Sequence, residues 1–389
     1  MTGAILTLNT GSSSLKFALF QNTTPPLAIL RGEVSGLTDA PKLLAHDSTG
    51  DVLIDRHWAI GEVSFDVILS ALFQFIDAYP DHDGLAAVGH RVVHGGADHI
   101  APERVTPTLL LSLTALIALD PIHMPHNLAP IRAIAQARPG LVQIACFDTA
   151  FHHTIPPVAR RFALPRAISD AGVRRYGFHG LSYEYIARRL GDEASVSARG
   201  KVIVAHLGAG ASLCALLDGA SIATTFGFSV LDGLVMATRC GSLDPGVILY
   251  LARQGHSFAY LEEMLYHRSG LLGVSGISAD IRVLLASADV HAREAIELFT
   301  YRLAIDIAGM ASALGGLDTI VFTAGIGQHS PRIREEVCER LAWLGVRLDG
   351  AANTANAASI GAADSAVEIR VMATDEEAMI ALHVHEYLC

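Results

Sequence analysis

One short segment combines the groups that could hold phosphate oxygens. Asn9-Thr10-Gly11-Ser12-Ser13-Ser14-Leu15-Lys16 offers backbone N–H groups, hydroxyls and one ammonium within a tight turn. Such groups bind phosphoryl oxygens when a turn aims them at one point. The spacing differs from the Walker pattern G-x-x-x-x-G-K-[ST], so the segment is not a Walker loop. An ordinary serine-rich hairpin turn is the alternative interpretation.

Two arginines lie where an anionic substrate could reach them. Arg91 comes near the end of an apolar strand-like run, and Arg239 lies in the segment Met236-Ala237-Thr238-Arg239-Cys240-Gly241. A guanidinium binds carboxylate and phosphate groups through two parallel hydrogen bonds. Together the two arginines could clamp a carboxylate and a phosphoryl group, and a pair of structural salt bridges is the equal alternative.

Carboxylates follow two apolar runs. Asp148 comes directly after Ile144-Ala145-Cys146-Phe147, where it could orient Mg²⁺ or the reacting groups, or cap the strand end. Asp375-Glu376-Glu377 precedes a helical run and could hold Mg²⁺, usually through water. Acidic residues also favour a helix N-terminus for electrostatic reasons, so capping is the alternative here as well.

Histidines and a glycine pair complete the candidate groups. His179 lies between two glycines in Tyr176-Gly177-Phe178-His179-Gly180, so a ligand could approach closely and accept a hydrogen bond from the imidazole. Gly325-Ile326-Gly327 resembles a loop that approaches a nucleotide, although G-x-G alone is a common pattern. The pairs His123/His126 and His152/His153 lack a third ligand at metal spacing, which argues against a metal site there.

The elements that would position these groups can be predicted from apolar periodicity. A hairpin is expected from Ala4 to Phe20, and a second copy from Val202 to Leu217 turns at Gly208-Ala209-Gly210. This repeat indicates two domains of related fold. Further strands are expected at 86–93, 142–147 and 319–323, and ligands gather beyond the carboxyl ends of such strands. One helix is expected to start after Ser182 and to stop at Gly191, and another to be capped by Ser330 and to end at Gly345.

Composition limits the class of protein. The 389 residues suit two domains, and the net charge of -11 argues against a non-specific nucleic-acid binder. Five cysteines without a C-x-x-C spacing favour a reducing, cytoplasmic location. The N-terminus shows no secretory signal. The longest apolar stretch, Leu109 to Leu119, is too short to span a bilayer, so no membrane association is expected.

The segments together resemble the acetate kinase family, of the acetate and sugar kinase, Hsp70 and actin superfamily. The match runs in order along nearly the whole chain through NTGSSSLKF, GHRVVHGG, FDTAFHHTIP, YGFHGLS, HLGAGASL, GFSVLDGLVMATRCG, SGLLGVSGIS, FTAGIGQHS and TDEEAMIA. The resemblance implies an α/β homodimer whose subunits have two ribonuclease H-like (actin-like ATPase) domains with a central cleft. The expected domains are 1–150, completed by a C-terminal helix 375–389, and a nucleotide-binding domain 151–374.

The resemblance also implies roles for individual residues. Asn9 and Glu376 would organise Mg²⁺, and Arg91 and Arg239 would clamp the carboxylate and the phosphoryl group. His179 would contact the transferring phosphoryl group, with His123 nearby and Asp148 orienting the site. The remaining expected residues contact the nucleotide phosphates or the nucleotide itself: Ser12, Ser14 and Lys16 in the first turn, His206, Gly208 and Gly210 in the second, and Gly325 and Gly327.

By the same resemblance, the pocket for the acyl group would be walled by Val93, Ile122, Phe178 and Val230, next to Arg91. The family's acetate enzymes usually carry leucine and proline where this chain has Ile122 and Val230. The expected activity is acetate kinase, in which ATP phosphorylates acetate in line and reversibly to give acetyl phosphate and ADP. A propionate or butyrate kinase of the same family and a non-catalytic ATP-binding regulatory protein are the alternatives.

The chain departs from the family pattern at several positions. Ala209 stands where the motif HLGNG has asparagine, and Gln328 and His329 stand where glutamate and asparagine are usual. Tyr183 replaces a histidine; further replacements are Met124, Leu181 and Ala223. None removes a group assigned to the chemistry, so these changes bear on nucleotide affinity and base preference.

Overall fold

The computed structural model describes residues 3–11, 13–37, 39–59, 61, 63–80, 83–192 and 200–389. The chain divides into two compact units. Unit 1 comprises Met1–Phe151 and Asp375–Cys389, and unit 2 comprises His152–Thr374. The C-terminal segment therefore returns to the unit with which the chain begins.

Each unit is built on one sheet. The strands of unit 1 are β1 (Ala4–Thr10), β2 (Leu15–Gln21), β3 (Leu27–Ser35), β4 (Lys42–Asp47), β5 (Val52–His57), β6 (Leu85–Val92), β7 (Glu103–Arg104) and β8 (Val142–Phe147), in the sheet order β5-β4-β3-β2-β1-β6-β8-β7. Those of unit 2 are β9 (Lys201–Leu207), β10 (Ala211–Leu217), β11 (Ala220–Thr224), β12 (Thr319–Thr323) and β13 (Glu368–Val371), in the order β11-β10-β9-β12-β13.

The two sheets share one pattern of strand directions. In unit 1, β1 pairs antiparallel with β2 and parallel with β6, which pairs parallel with β8. In unit 2, β9 pairs antiparallel with β10 and parallel with β12, which pairs parallel with β13. This confirms the predicted hairpins, the repeat and the α/β ribonuclease H-like fold.

The helices of unit 1 before the chain enters unit 2 are α1 (Phe65–Ala78), α2 (Pro107–Ala115) and α3 (Met124–Ala137). Unit 2 contains α4 (Pro157–Arg160), α5 (Arg166–Asp170), α6 (Gly180–Asp192), α7 (Pro245–Arg253), α8 (Phe258–His267), α9 (Gly270–Ser275), α10 (Ile281–Ala286), α11 (Val290–Leu314), α12 (Ala324–His329), α13 (Pro331–Arg340) and α14 (Gly350–Thr354). The final helix, α15 (Glu376–Leu388), belongs to unit 1. Across the described residues, no helix combines the length and apolarity needed to cross a membrane.

Side chains alternate between the two faces of the sheet along β1, so Asn9, near the end of this strand, lies on the face that α15 covers. Leu6 and Leu8 enter the core cluster that includes α1 residues, so Asn9 projects to the opposite face. There α15 approaches the sheet so closely that a Cβ on Gly89 would lie 2.4 Å from Ile380 Cγ2. The absence of a side chain at Gly89 thus brings the first turn of α15 beside the ends of β1 and β6.

Several local predictions were wrong. Gly325 and Gly327 belong to the short helix α12 rather than to a loop, and α12 begins at Ala324, whose φ of 61° turns the chain sharply after β12. Ser330 precedes α13, as predicted, but its side chain makes no capping hydrogen bond. α6 begins at Gly180, before Ser182. α13 ends at Arg340, earlier than predicted, and a short 3₁₀ turn, Ala342–Leu344, follows it and ends at Gly345 in the left-handed conformation.

Candidate active site

In unit 1, Asn9 joins the predicted arginine to two carboxylates. Its Oδ1 accepts a hydrogen bond from Arg91 Nη1 at 3.1 Å. Its Nδ2 donates to Glu376 Oε2 at 2.9 Å and to Glu377 Oε1 at 3.1 Å. The ends of β1 and β6 and the first turn of α15 therefore bring an arginine, an amide and two acids together.

Asp148 fixes the guanidinium of Arg91. Arg91 Nε and Nη2 donate to Asp148 Oδ2 at 3.0 Å and 2.5 Å, and the carboxylate is fully buried. Burial by itself disfavours the charged guanidinium, but Asp148 and then Glu376 outweigh that effect and raise the pKa of Arg91. Arg91 therefore stays a cation. Within the described residues three of its five N–H groups have acceptors, which leaves two for a ligand.

Glu376 and Glu377 supply oxygen donors beside Asn9. Burial raises the pKa of Glu377, the adjacent Glu376 raises it further, and the hydrogen bond from Asn9 opposes both effects. Mg²⁺ in phosphotransferases is held by one or two carboxylates together with water and phosphate. Two carboxylates meeting at one amide fit such an ion. The sequence offered the segment Asp375-Glu376-Glu377 for Mg²⁺, and the family resemblance singled out Glu376 alone.

Asn127 is a positioning residue that sequence reasoning missed. Its Oδ1 accepts from Val93 N at 2.8 Å and its Nδ2 donates to Thr10 O at 2.7 Å, so it ties the ends of β6 and β1 together. The side chain is buried on α3. The available signal was an asparagine at helical spacing from the apolar Met124 and Ile131.

His123 lies at the start of α3, at the position before its first residue. Both its backbone N and its Nδ1 lie 3.0 Å from Asp120 Oδ1. Burial favours the protonated form of Asp120, but the hydrogen bonds from His123 prevail and lower the pKa of this carboxyl. Asp120 therefore holds the ring of His123 as an anionic partner.

Part of the predicted phosphate turn can be placed. Ser12 lies outside the described residues. Gly11 N donates to Ser14 O at 2.8 Å, which closes the turn. Lys16 lies on β2 opposite Asn9, and its exposed side chain lines a groove of about 400 Å³ together with Glu33 and Glu377.

In unit 2, two histidines stack beside the second glycine turn. The rings of His179 and His206 lie 4.1 Å apart at 27°. A Cβ added to Gly210 would lie 3.4 Å from His179 Nε2, and one added to Gly208 would lie 3.9 Å from His206 Nε2. The Nε2 edges of both rings thus face the turn, where glycines leave room. His179 has a φ of 58°, an unusual conformation for a side-chain-bearing residue that often occurs at functional sites.

Buried serines hold both rings from behind. His179 Nδ1 lies 2.9 Å from Ser212 Oγ, and His206 Nδ1 lies 2.8 Å from Ser182 Oγ. Both serines are fully buried. Sequence reasoning did not assign them a role; the only signal was a hydroxyl inside each apolar motif.

Arg239 approaches the same turn. A Cβ on Gly210 would lie 3.7 Å from Arg239 Nη1 as well as 3.4 Å from His179 Nε2. The turn itself is tied to the arginine's segment, because Ala237 N donates to Ala209 O at 3.1 Å. Arg239 Nη1 also donates to Val230 O at 3.4 Å. The guanidinium of Arg239 and the Nε2 atom of His179 therefore flank one glycine.

The start of α12 lies next to the same turn, since a Cβ on Gly208 would come within 3.8 Å of Ala324 Cβ. Gly325 is exposed, and a Cβ there would meet no described atom within 4 Å. Gly327 is buried against Phe322 and Ala205, so it serves packing between α12 and the sheet. Among the residues that depart from the expected family pattern, Ala209 and His329 are exposed and Gln328 is half-buried.

The predicted acyl-pocket residues divide between the units. Val93 and Ile122 belong to unit 1, where Val93 follows two residues after Arg91. Phe178 and Val230 belong to unit 2, and Phe178 packs edge-to-face on Phe226 at 5.8 Å. Val93, Phe178 and Val230 are buried.

Comparison with known proteins gives matches over the whole chain. The family model described as the Acetokinase family matches residues 4–382. A protein named acetate kinase from Rhodopseudomonas palustris is 53% identical over 99% of this chain and 98% of its own length. A solved structure of a propionate kinase from Francisella tularensis has a TM-score of 0.91 at 35% identity, covering 98% of this chain and 99% of that one. The Porphyromonas gingivalis acetate kinase structure has a TM-score of 0.89 at 32% identity, covering 99% and 100%.

Proposed function

The chain belongs to the acetokinase family, and we propose that it transfers the γ-phosphoryl group of ATP to acetate, giving acetyl phosphate and ADP in a reversible reaction. The observation that carries this proposal is the state of Arg91. Asp148 and Asn9 hold its guanidinium in one orientation and keep it charged, while two N–H groups are left to bind a carboxylate. A protein that only bound ATP would not need this arrangement.

The chemistry requires little proton transfer. A carboxylic acid substrate is ionised at neutral pH and is already a nucleophile. Rate enhancement must then come from in-line positioning and from neutralising charge on the phosphoryl oxygens. Asp148 acts in this scheme through Arg91, which it orients, and not as a base.

The groups of unit 2 suit the phosphoryl side of the reaction. His179 Nε2 and Arg239 Nη1 flank Gly210, so a phosphoryl oxygen at this turn could accept from both. Gly208, Gly325 and the ring of His206 are proposed to contact the nucleotide. In unit 1, Ser12, Ser14 and Lys16 are proposed to contact phosphate, and His123 to assist near the transferred group.

Mg²⁺ would be held by the carboxylate of Glu376, which Asn9 orients by donating a hydrogen bond from its Nδ2. The two acids that meet at Asn9 provide the carboxylate oxygens that this ion prefers. When bound, Mg²⁺ would supply positive charge that offsets the negative charge of the nucleotide phosphates. The protein's own contribution is to hold the amide and carboxylates in a fixed orientation through Arg91.

Acetate is the proposed best substrate, and the apolar residues Val93, Ile122, Phe178 and Val230 are proposed to surround its methyl group. Valine at 230 in place of proline could admit one more methylene, whose burial is worth about 0.8 kcal/mol. Apolar pockets separate such homologues by about 10–200-fold at most. We therefore expect kcat/KM to fall in the order acetate, propionate, butyrate. A higher kcat/KM for butyrate than for acetate would refute acetate as the best substrate, but the protein would still be a carboxylate kinase.

We also propose that the protein is a homodimer in the cytoplasm. The helices α7 and α8 support the dimer, because large apolar side chains on them stay exposed: Leu249 at 57%, Tyr250 at 60% and Phe258 at 79%. A second copy of the chain is the proposed cover for this surface. Light scattering should give twice the mass of 41.2 kDa, and Leu249→Glu should shift it towards the monomer. A monomer at micromolar concentration would refute the dimer.

The activity is tested by trapping acyl phosphate as a hydroxamate in the presence of ATP, Mg²⁺ and acetate. Arg91→Ala and Arg239→Ala should each lower kcat by about 10²-fold or more, if each acts mainly in the transition state. Arg138→Ala is the matched control, since Arg138 pairs with Asp77 at the surface of unit 1. Near-normal turnover in a folded Arg91 or Arg239 variant would contradict the assignment of that residue.

A further inference from the structure

Behind His179 lies a chain of buried hydroxyl groups. The Tyr183 hydroxyl lies 2.5 Å from Ser212 Oγ, and Ser212 Oγ lies 2.9 Å from His179 Nδ1. Tyr183 and Ser212 are both fully buried, whereas His179 is half-buried. The three groups therefore form one connected path from the interior of unit 2 to the edge of its glycine turn.

The donor order along this path follows from the chemistry of the groups. A phenol, whose pKa is near 10, is a stronger donor and a poorer acceptor than an alkyl hydroxyl. The short O···O distance fits the phenol of Tyr183 donating to Ser212 Oγ. Ser212 has a single hydroxyl proton, which is then directed at its other neighbour, His179 Nδ1. A neutral imidazole that accepts at Nδ1 carries its proton at Nε2.

We propose that Tyr183 and Ser212 are positioning residues that hold His179 in the tautomer with its proton on Nε2. That nitrogen is the one facing Gly210, where Arg239 Nη1 also approaches. The tautomer makes His179 a hydrogen-bond donor to the transferring phosphoryl group without requiring an imidazolium. This inference rests on the proposed function for the role of His179, but the tautomer itself is independent of any activity.

The stacked arrangement supports a neutral ring. His206 lies 4.1 Å from His179 in near-parallel orientation, and Ser182 bonds its Nδ1 in the same manner. Two imidazolium cations at this distance would repel each other strongly. When both rings stay neutral, they do not repel each other. Each ring can still donate a hydrogen bond from Nε2, because the serine at its Nδ1 favours the tautomer with the proton on Nε2.

The test combines spectroscopy with kinetics. Histidine is labelled with ¹⁵N, His179→Gln identifies the signal of His179, and long-range proton–nitrogen correlations report which ring nitrogen is protonated. In the unaltered protein we expect the Nε2–H form. Tyr183→Phe keeps the ring that contacts His206 and removes only the hydroxyl, so the Nδ1–H form should increase.

In kinetics, Tyr183→Phe should lower kcat about fivefold, the factor that one net hydrogen bond is worth, and change KM for ATP and acetate less than twofold. Ser212→Ala should lower kcat further. In a His179→Gln background, Tyr183→Phe should not lower kcat further. The effects of the two substitutions are not additive when Tyr183 acts only through His179. Tyr185→Phe, on the same helix and only half-buried, is the matched control and should retain kcat.

Two results would overturn the proposal. One is a His179 signal with the proton on Nδ1 in the unaltered protein. The other is a loss of kcat from Tyr183→Phe that persists in full in the His179→Gln background, as expected of a purely structural residue. If instead the protein forms no acyl phosphate, the proposed function fails while the tautomer measurement still decides on the hydroxyl chain.

Discussion

Acidification should destabilise unit 2 through His152, which lies beneath the segment that carries His179. His152 Nε2 lies 3.0 Å from Phe178 O, and Nδ1 lies 2.8 Å from Ser221 Oγ. A carbonyl oxygen only accepts, so Nε2 donates to Phe178 and Ser221 donates to Nδ1. Burial lowers the pKa of His152 from 6.5 to about 4, against a smaller opposing effect of the Phe178 hydrogen bond.

The sign of the pH dependence follows from which state takes up the proton. Below pH 6.5 the unfolded chain binds a proton at His152, whereas the folded chain does not until the pH approaches 4. The neutral, buried His152 therefore stabilises the folded protein fully above the unfolded pKa of 6.5. The free energy of unfolding decreases as the pH falls from 6.5 towards about 4. A shift of this size corresponds to about 3 kcal/mol in total, of which about 2 kcal/mol is lost by pH 5.

The assay compares urea unfolding at pH 7 and pH 5 for the unaltered protein and for His152→Gln, whose amide can replace both hydrogen bonds without titrating. The unaltered protein should lose about 2 kcal/mol more free energy of unfolding than the variant between these two pH values. His126→Gln, at an exposed position of α3, should behave like the unaltered protein. Equal losses in the unaltered protein and His152→Gln would show that burial does not depress this pKa.

Other substitutions probe packing and specificity. Arg334 is fully buried and donates five hydrogen bonds to described acceptors around α12 and α14; Arg334→Met should lower the free energy of unfolding in urea by about 1–3 kcal/mol, because buried acceptors lose their donor, and an unchanged midpoint would contradict this. Asn127→Ala should lower kcat about 10-fold or more by freeing the ends of β1 and β6, while circular dichroism shows a retained fold; unchanged turnover would refute it. Val230→Pro should raise the ratio of kcat/KM for acetate over propionate by about fourfold, and an unchanged ratio would mean that Val230 only packs the core.

Much of the framework could be predicted because local signals were strong. β8 and β12 have the predicted bounds, Val142–Phe147 and Thr319–Thr323, since each is a mainly apolar segment that ends at a polar or left-handed residue. The region from Gly325 to Gly327 was misjudged because a G-x-G pattern favours a loop, whereas the positive φ of Ala324 already turns the chain and lets a helix begin at once.

The residues that orient the site were harder to predict because their partners are remote in sequence. Asn127 joins Thr10 and Val93, which lie 117 and 34 residues away. Ser212 meets His179 across 33 residues. No periodicity links such positions, and a buried amide or hydroxyl within an apolar run looks like a tolerated core residue. Only the three-dimensional pairing shows which polar atoms they satisfy.

The candidate groups of unit 1 and those of unit 2 share one arrangement. Arg91 and His179 are half-buried, and each is held from the interior by a fully buried polar group, Asp148 or Ser212. Burying a polar group is costly unless its hydrogen bonds are made, so each buried partner favours one orientation of the side chain in front of it. That orientation is present before any substrate arrives. Preorganised donors stabilise developing charge without reorganising during the reaction, so loss of Asp148 or Ser212 should reduce turnover more than substrate affinity.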